Sequence, residues 1–191
     1  MFNEIQNSIL YNSLSLQLKN AVNFIFTVKS VAYITGNEFQ KDNVPLTKKV
    51  TEYYITQYPN GVYNNQLGIV KLDKEGVKDS LAHGMSSLKA AAYKAVPKVI
   101  EKGYIYDVQK NWKDRGYDTA TILAPINIGK DVYICDIVVI IRSNKTSFYL
   151  HEVEQINKFA NVFKTPTKGS TSANSKLIIT HKIQNFNPIV K

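Results

Sequence analysis

Apolar residues recur at Ile5, Leu10, Leu14, Leu18, Val22 and Phe26. That near-helical spacing predicts an amphipathic helix over residues 3–29, with Asn, Gln and Ser on its polar side. "SVAYITG" (30–36) predicts a short strand stopped at Gly36, and "PLTKKVTEYYITQY" (45–58) a helix closed by the turn-forming "YPNG". "LGIVKLD" (67–73) is extended or a short strand. "KEGVKDSLAHG" (74–84) predicts a short helix ending near Gly84, after which Ser86 or Ser87 can cap another. In that second helix Leu88, Ala91, Ala92, Ala95 and Val99 make the apolar stripe. Pro97 should kink it or begin a fresh turn, and Gly103 should end it.

From Gly103 the period changes to two. Turn signals divide the pattern into "GYIYDVQ", "DTATILAPINI", "DVYICDIVVIIR" and "SFYLHEVEQI", with "GK" (129–130) and "SNKT" (143–146) as hairpin connections. Helices followed by a meander give an α+β fold: N-terminal helices packed on a four-stranded, or slightly larger, antiparallel sheet. "KTPTKGSTSANS" (164–175) reads as a polar loop, and "KLIITHKI" (176–183) as a last strand or helix. No internal repeat is visible.

Alternation along the last hairpin sorts its side chains. With Arg142 opposite Ser147, Ile140 meets Tyr149, Val138 meets His151 and Asp136 meets Val153 on one face. Tyr133, Cys135, Ile137, Val139 and Ile141, with Phe148 and Leu150, then form the other face and the core. His151 is expected to point away from that core, and Glu152 and Glu154 to face opposite His151, which makes "HEVE" a poor metal cage.

A chain of 191 residues with 44% hydrophobic residues has room for one domain with a full core, extended by a helical segment. Lys and Arg number 24 against 15 Asp and Glu, a formal charge of +9 that suits a polyanionic partner as well as it suits a generally basic surface. One cysteine, Cys135, excludes an internal disulfide framework and a cysteine-cluster zinc site. Its place in an apolar strand suits a core residue better than a nucleophile. The start "MFNEIQNSIL" has no basic leader before an apolar run, and no stretch is apolar enough to span a bilayer, so a soluble, unprocessed chain with no membrane partner is expected.

The chemistry-bearing residues are few. His83, beside Gly84 and six residues before Lys89, and His151 on a strand are side chains whose ordinary pKa suits proton transfer in both directions near neutrality. Metal-free RNA cleavage needs such a pair: one takes the proton of a ribose 2′-hydroxyl, the other gives one to the departing 5′-oxygen. Lys89 and the amides at the helix start by Ser86 could stabilise the phosphorane between them. Each has a plainer reading. His83 also reads as a loop histidine at the surface, His151 as a half-buried strand residue, Lys89 as a solvated helix lysine and Arg115 in "NWKDRGYD" as a loop charge. Trp112 and Tyr117 could stack on a base, although packing explains them as simply. His181 is taken as structural or exposed. Walker, GxSxG and HExxH patterns are missing, which leaves phosphate-loop, hydrolase-elbow and zincin chemistry without support. "EVE" (152–154) and "STS" (170–172) resemble pieces of an arginine-type ADP-ribosyltransferase, but there the serine element precedes the acidic one and here it follows.

"ITGNEF", "GVKDSLAHG", "KAAAYKAVPKVIEKG", "RGYDTATILAPINI" and "FYLHEVE" together resemble a nuclease branch of phage and prophage polyvalent proteins. That branch sits in the barnase, EndoU, colicin and RelE-like (BECR) superfamily. The resemblance covers residues 30–179. It implies helices on a four-stranded antiparallel sheet and metal-independent RNA cleavage without a cofactor, by a toxin or host-takeover effector in the cytoplasm of a bacterial host. It implies His83, Lys89 and His151 as catalytic residues, with Tyr149 beside His151 and Ser172 or Ser175 as substrate contacts; Arg115, read from its own loop as a phosphate clamp, joins that set. RNA, with tRNA as one candidate, is the implied partner, together with an immunity or neutralising protein. The expected division is a helical extension at 1–29, the nuclease-like domain at 30–183 and a tail at 184–191. A non-catalytic module that binds nucleic acid or a host protein through a basic face is the alternative.

Overall fold

In a computed structural model of the chain, the alternating stretch after Gly103 forms four consecutive strands, β4 (Tyr104–Gln109), β5 (Asp118–Ile128), β6 (Asp131–Ile141) and β7 (Thr146–Gln155), each antiparallel to the next. The structure describes residues 1–39, 42–82, 85–161 and 163, except the side chains of Ile9 and Ala82. A fifth strand, β1 (Tyr33–Ile34), joins β5 in parallel, Tyr33 opposite Asn127 and Ile34 opposite Ile128. The fold is α+β as expected, but its sheet is mixed instead of purely antiparallel. A separate hairpin pairs β2 (Val62–Asn64) with β3 (Gly68–Val70); β3 falls in the stretch read as extended or a short strand, whereas β2 was too short to show in the sequence pattern.

One face of the large sheet is the core. Ala120, Ile122, Ala124 and Ile126 of β5, Cys135, Ile137 and Val139 of β6, and Phe148 and Leu150 of β7 are completely buried on it. The alternation rule selects this set. Four described helices cover it: α4 (Leu46–Gln57), α5 (Lys74–Ala82), α6 (Ser87–Ala92) and α7 (Val96–Lys102), contributing Val50, Tyr54, Val77, Ala91, Val96 and Ile100 to the same cluster. Pro97 sits in the first turn of α7, where its missing N–H costs nothing, and Gly103 ends that helix. The buried Asn64 amide donates to the Ile100 carbonyl (2.7 Å) and accepts from the Gln66 and Leu67 amides, which fastens the small hairpin to α7.

The expected helix over 3–29 is divided into α1 (Phe2–Gln6), α2 (Ile9–Ser13) and α3 (Leu16–Thr27). Ser8 and Ser15 explain the breaks: their hydroxyls accept the Tyr11 and Leu18 amides at 3.1 and 3.3 Å, so each starts a new helix. The apolar stripe is still used. Ala21 and Ile25 pack on Tyr106, Leu123 and Ile134 of the sheet's second face. Leu14, Val22, Ala160 of α8 (Ile156–Asn161) and Phe163 form a cluster beside it.

The hairpin register differs from the expected one. Ile141 pairs with Thr146, Val138 with Tyr149 and Ile137 with Leu150, a shift of two residues, because the Arg142 amide bonds the Lys145 carbonyl (3.0 Å) and closes the turn one residue earlier on each strand. An even shift keeps every side chain on its face. A bulge then intervenes: Asp136 pairs with Glu152, leaving His151 as the extra residue. Glu152 and Glu154 therefore share the face of Asp136, and the expected opposition between them and His151 does not hold.

The outer edge of β7 is closed by other elements, which a strand edge requires. The Lys71 amide donates to the Thr146 carbonyl (2.8 Å), and the Leu150 amide donates to Ser80 Oγ of α5 (2.8 Å). Gly76 of α5 lies so near Phe148 that a Cβ would collide with its carbonyl oxygen and come within 2.9 Å of Cε1. Gly76→Ala should lower stability by about 1–3 kcal/mol, as overpacking does. Urea unfolding checks this: a lowered midpoint is expected, whereas an unchanged midpoint would mean that α5 is not seated on β7.

Candidate nucleic-acid interface

The sheet's second face has two chemically different halves. Under α3, the aromatic and aliphatic side chains of Tyr106, Leu123 and Ile134 surround a cavity of about 70 Å³, with Asp136, Glu152 and Glu154 on its rim. The Tyr106 hydroxyl donates to Asp136 Oδ2 (3.3 Å). Burial pushes the Tyr106 phenol well above its ordinary pKa, and the neighbouring carboxylate pushes it further. Asp136 itself is 3% exposed.

Beyond Asp136 the same face turns polar. Strand pairing sets Thr119, Ile140 and Ser147 in one row and Asp107, Thr121, Val138 and Tyr149 in the next. Asp107, Thr121, Val138 and Tyr149 are partly exposed. Burial raises the pKa of Asp107, partly offset by the Gln109 amide at 2.7 Å. The Tyr149 phenol is pushed up to about 12, first by burial and then by the Asp136 carboxylate, so it remains a neutral donor at any physiological pH. The His151 ring meets Tyr149 edge to face, with centroids 6.1 Å apart. The bulge thus sets the imidazole beside the phenol, at the border of the two halves.

At the end of this face, Arg142 donates to Ser147 Oγ (3.4 Å) and lies over the Tyr117 ring at 5.1 Å. Tyr117 stacks on Trp112 (centroids 5.8 Å, 25° between planes), and Lys113 and Arg115 lie 4.6 and 5.1 Å from the indole. Arg115 is exposed on the loop between β4 and β5. Trp112, Tyr117 and Arg142 form a set with Arg115 that spacing alone does not single out. The signal was present in "NWKDRGYD", where two aromatics bracket three charges.

Lys89 is not solvated. It is 7% exposed, and its ammonium donates to the Ser80 carbonyl (3.3 Å) near the C-terminal end of α5. Burial lowers its pKa, against the opposing pull of the Glu152 carboxylate. The Lys89 amide is taken by the Ser86 cap (3.1 Å). Lys89 and His151 are thus brought to the same stretch of β7, since Glu152 follows His151. Ser80 joins them: its Oγ holds the amide of Leu150, the residue before His151, and it lies three residues ahead of His83. His83, Ser172 and Ser175 lie outside the described residues, as does His181. Among the described residues no group of three or more His, Cys, Asp or Glu could hold a metal ion, and no helix is long and apolar enough to cross a membrane.

Helices packed on both faces of a meander, with a basic, aromatic end left open on the second, make the chain an α+β domain. Residues 41–149 match the family model for large polyvalent protein-associated domain 3, more than half of the chain, which therefore belongs to that family. The matched segment includes His83, Lys89, Arg115 and Tyr149 and stops two residues before His151. Comparison with curated proteins and with solved structures found no match.

The buried ammonium gives a pH test. An unfolded chain keeps the Lys89 proton up to the ordinary value of 10.5, while the folded chain releases it earlier. The unfolded state binds more protons between those two values, so stability contributed by this site rises with pH across that interval. Lys89→Met should lack that rise, so the parent's unfolding free energy should increase relative to the variant's as pH climbs towards 10.5. Parallel curves would show that the ammonium is not desolvated.

Proposed function

We propose that this domain is a metal-independent endoribonuclease that cuts RNA by transesterification, acting as a phage or prophage toxin or host-takeover effector. The observation that carries this reading is the seating of α5 on β7. Ser80 on Leu150 seats α5 against the strand that bears His151, with Lys89 tied to the same helix end; in sequence His83 follows α5.

In this reading one imidazole takes the proton of a ribose 2′-hydroxyl as that oxygen bonds to the adjacent phosphorus. The bond from phosphorus to the 5′-oxygen breaks, and the second, protonated imidazole gives its proton to the leaving oxygen. The products are a 2′,3′-cyclic phosphate and a 5′-hydroxyl end. His83 and His151 are the acid and base. Lys89 supplies fixed positive charge beneath the developing phosphorane, and the neutral Tyr149 phenol donates to a phosphate oxygen. Arg115 binds a flanking phosphate, and Ser172 or Ser175 completes the substrate contacts. RNA, tRNA among the candidates, is the substrate, and a neutralising protein would protect the producing cell's cytoplasm.

A second reading, a module that binds nucleic acid without cutting it, is favoured by one observation. Lys89 is buried and committed to the Ser80 carbonyl, while the aromatic and basic end of the sheet needs no catalysis to hold a strand.

The two readings part in one assay. Labelled tRNA and total RNA incubated with the chain in chelator should yield 2′,3′-cyclic phosphate ends, and His151→Ala or His83→Ala should slow cleavage by about 10²-fold or more. Retardation without cleavage, falling with salt, would select the binding module. If both alanine variants cut like the parent, the assignment of these histidines is wrong.

A further inference from the structure

Among the described residues, Trp112 and Tyr117 belong to none of the apolar clusters and stack on each other instead. They form a stack at the tip of a loop whose other residues, Asn111, Lys113, Asp114, Arg115 and Gly116, are all exposed. That loop is strained: Asn111, Lys113 and Asp114 hold positive φ angles of 45°, 49° and 56°. Non-glycine residues in this region are sparse and gather where the chain presents a ligand site.

The strain is held by a dense set of short bonds. The Trp112 amide donates to the Tyr117 carbonyl (2.7 Å), the Asn111 amide to Asp118 Oδ1 (2.9 Å) and the Gly116 amide to Asn111 Oδ1 (2.8 Å). Lys110 pairs with the same Asp118 at 2.7 Å. The stack is therefore preorganised, with little left to order on binding. Cations flank it at both ends, Arg115 over the indole and Arg142 over the phenol, each at 5.1 Å. Arg142 reaches back to Ser147, one position along the same face from Tyr149.

Aromatic plates edged by guanidinium groups fit one chemical partner closely: a nucleobase with its face free and a phosphate on either side. A duplex hides its base faces inside the stack, so the partner has to be unpaired. We propose that Trp112 and Tyr117 form a base-stacking subsite for one unpaired nucleotide of single-stranded RNA, with Arg115 and Arg142 on the phosphates flanking it. As the base covers the indole, the Arg115 side chain leaves the ring for a phosphate. This rests on the nucleic-acid reading of the face and is independent of whether the face cuts.

Trp112 is the chain's one tryptophan, so its fluorescence reports this subsite alone. The intact chain is titrated with a short, fully 2′-O-methylated single strand that it cannot cleave, and with the same strand in a duplex. Saturable quenching by the single strand, and weaker quenching by the duplex, is the expected result. In parallel, anisotropy of the labelled single strand should show Trp112→Ala and Tyr117→Ala binding roughly tenfold or more weakly, with Trp112→Phe retaining most of the affinity. Arg115→Ala should reduce the slope of log affinity against log salt by about 1. Melting curves of the variants keep a folding defect apart from a lost contact, and Trp112→Phe keeps the test valid if an alanine variant unfolds. Binding seen by anisotropy without quenching, alanine variants that bind like the parent, or no binding at all would each overturn the subsite. Quenching without any cleavage of ordinary RNA would leave the subsite standing and bring down the nuclease reading. Cleavage with an unaltered KM in Trp112→Ala would do the reverse.

Discussion

The contact on which the arrangement depends is the one between α5 and the edge strand β7. It is close because Gly76 has no side chain to hold the helix off the Phe148 carbonyl, and specific because Ser80 Oγ takes the Leu150 amide. A carbonyl and an amide that would otherwise mark an open edge are thereby covered. The same Ser80 donates back to the Gly76 carbonyl at 2.7 Å, and its own carbonyl receives the Lys89 ammonium. One serine thus ties together a helix end, a strand edge and a buried cation. His151, next to Leu150 on the strand, inherits its neighbourhood from this knot.

The second face of the sheet is divided by charge. Its apolar half accepts α3, and the polar half carries Tyr149, Thr121 and the basic, aromatic loop. Asp136 stands at the boundary, bonded by Tyr106 from the apolar side and raising the Tyr149 pKa from the other. The bulge at His151 belongs to this boundary, since an extra residue in one strand re-aims a side chain without breaking the ladder beyond it. Burial keeps the Tyr106 and Tyr149 phenols protonated, so both act as donors, and it also pushes the Cys135 thiol up, which makes that cysteine inert core.

Strand boundaries were legible because β5, β6 and β7 are long, strongly alternating and separated by turn residues. The core face was legible for the same reason, and it survived a register error because the error was even. Three things were hidden. The turn at 142–145 closes through a backbone bond between Arg142 and Lys145 that side-chain types do not announce. The bulge adds one residue without disturbing local composition, so periodicity carried Glu152 and Glu154 to the wrong face. Lys89 looks like any helix lysine until α5 folds over it, which is a tertiary event. The serine breaks in the N-terminal stripe were readable in principle, since Ser8 and Ser15 each begin a fresh apolar turn. The stripe's regularity outweighed them.

The proposed reading lays RNA on the polar half of the second face, and photo-cross-linking tests that placement directly. Single-stranded RNA carrying 4-thiouridine is irradiated with the intact chain, and the adducts are mapped by mass spectrometry. Adducts on Trp112, Tyr117 and Tyr149 are expected, on the loop between β4 and β5 and on β7. Adducts confined to α4 and the β2–β3 hairpin, on the opposite layer of the molecule, would contradict it.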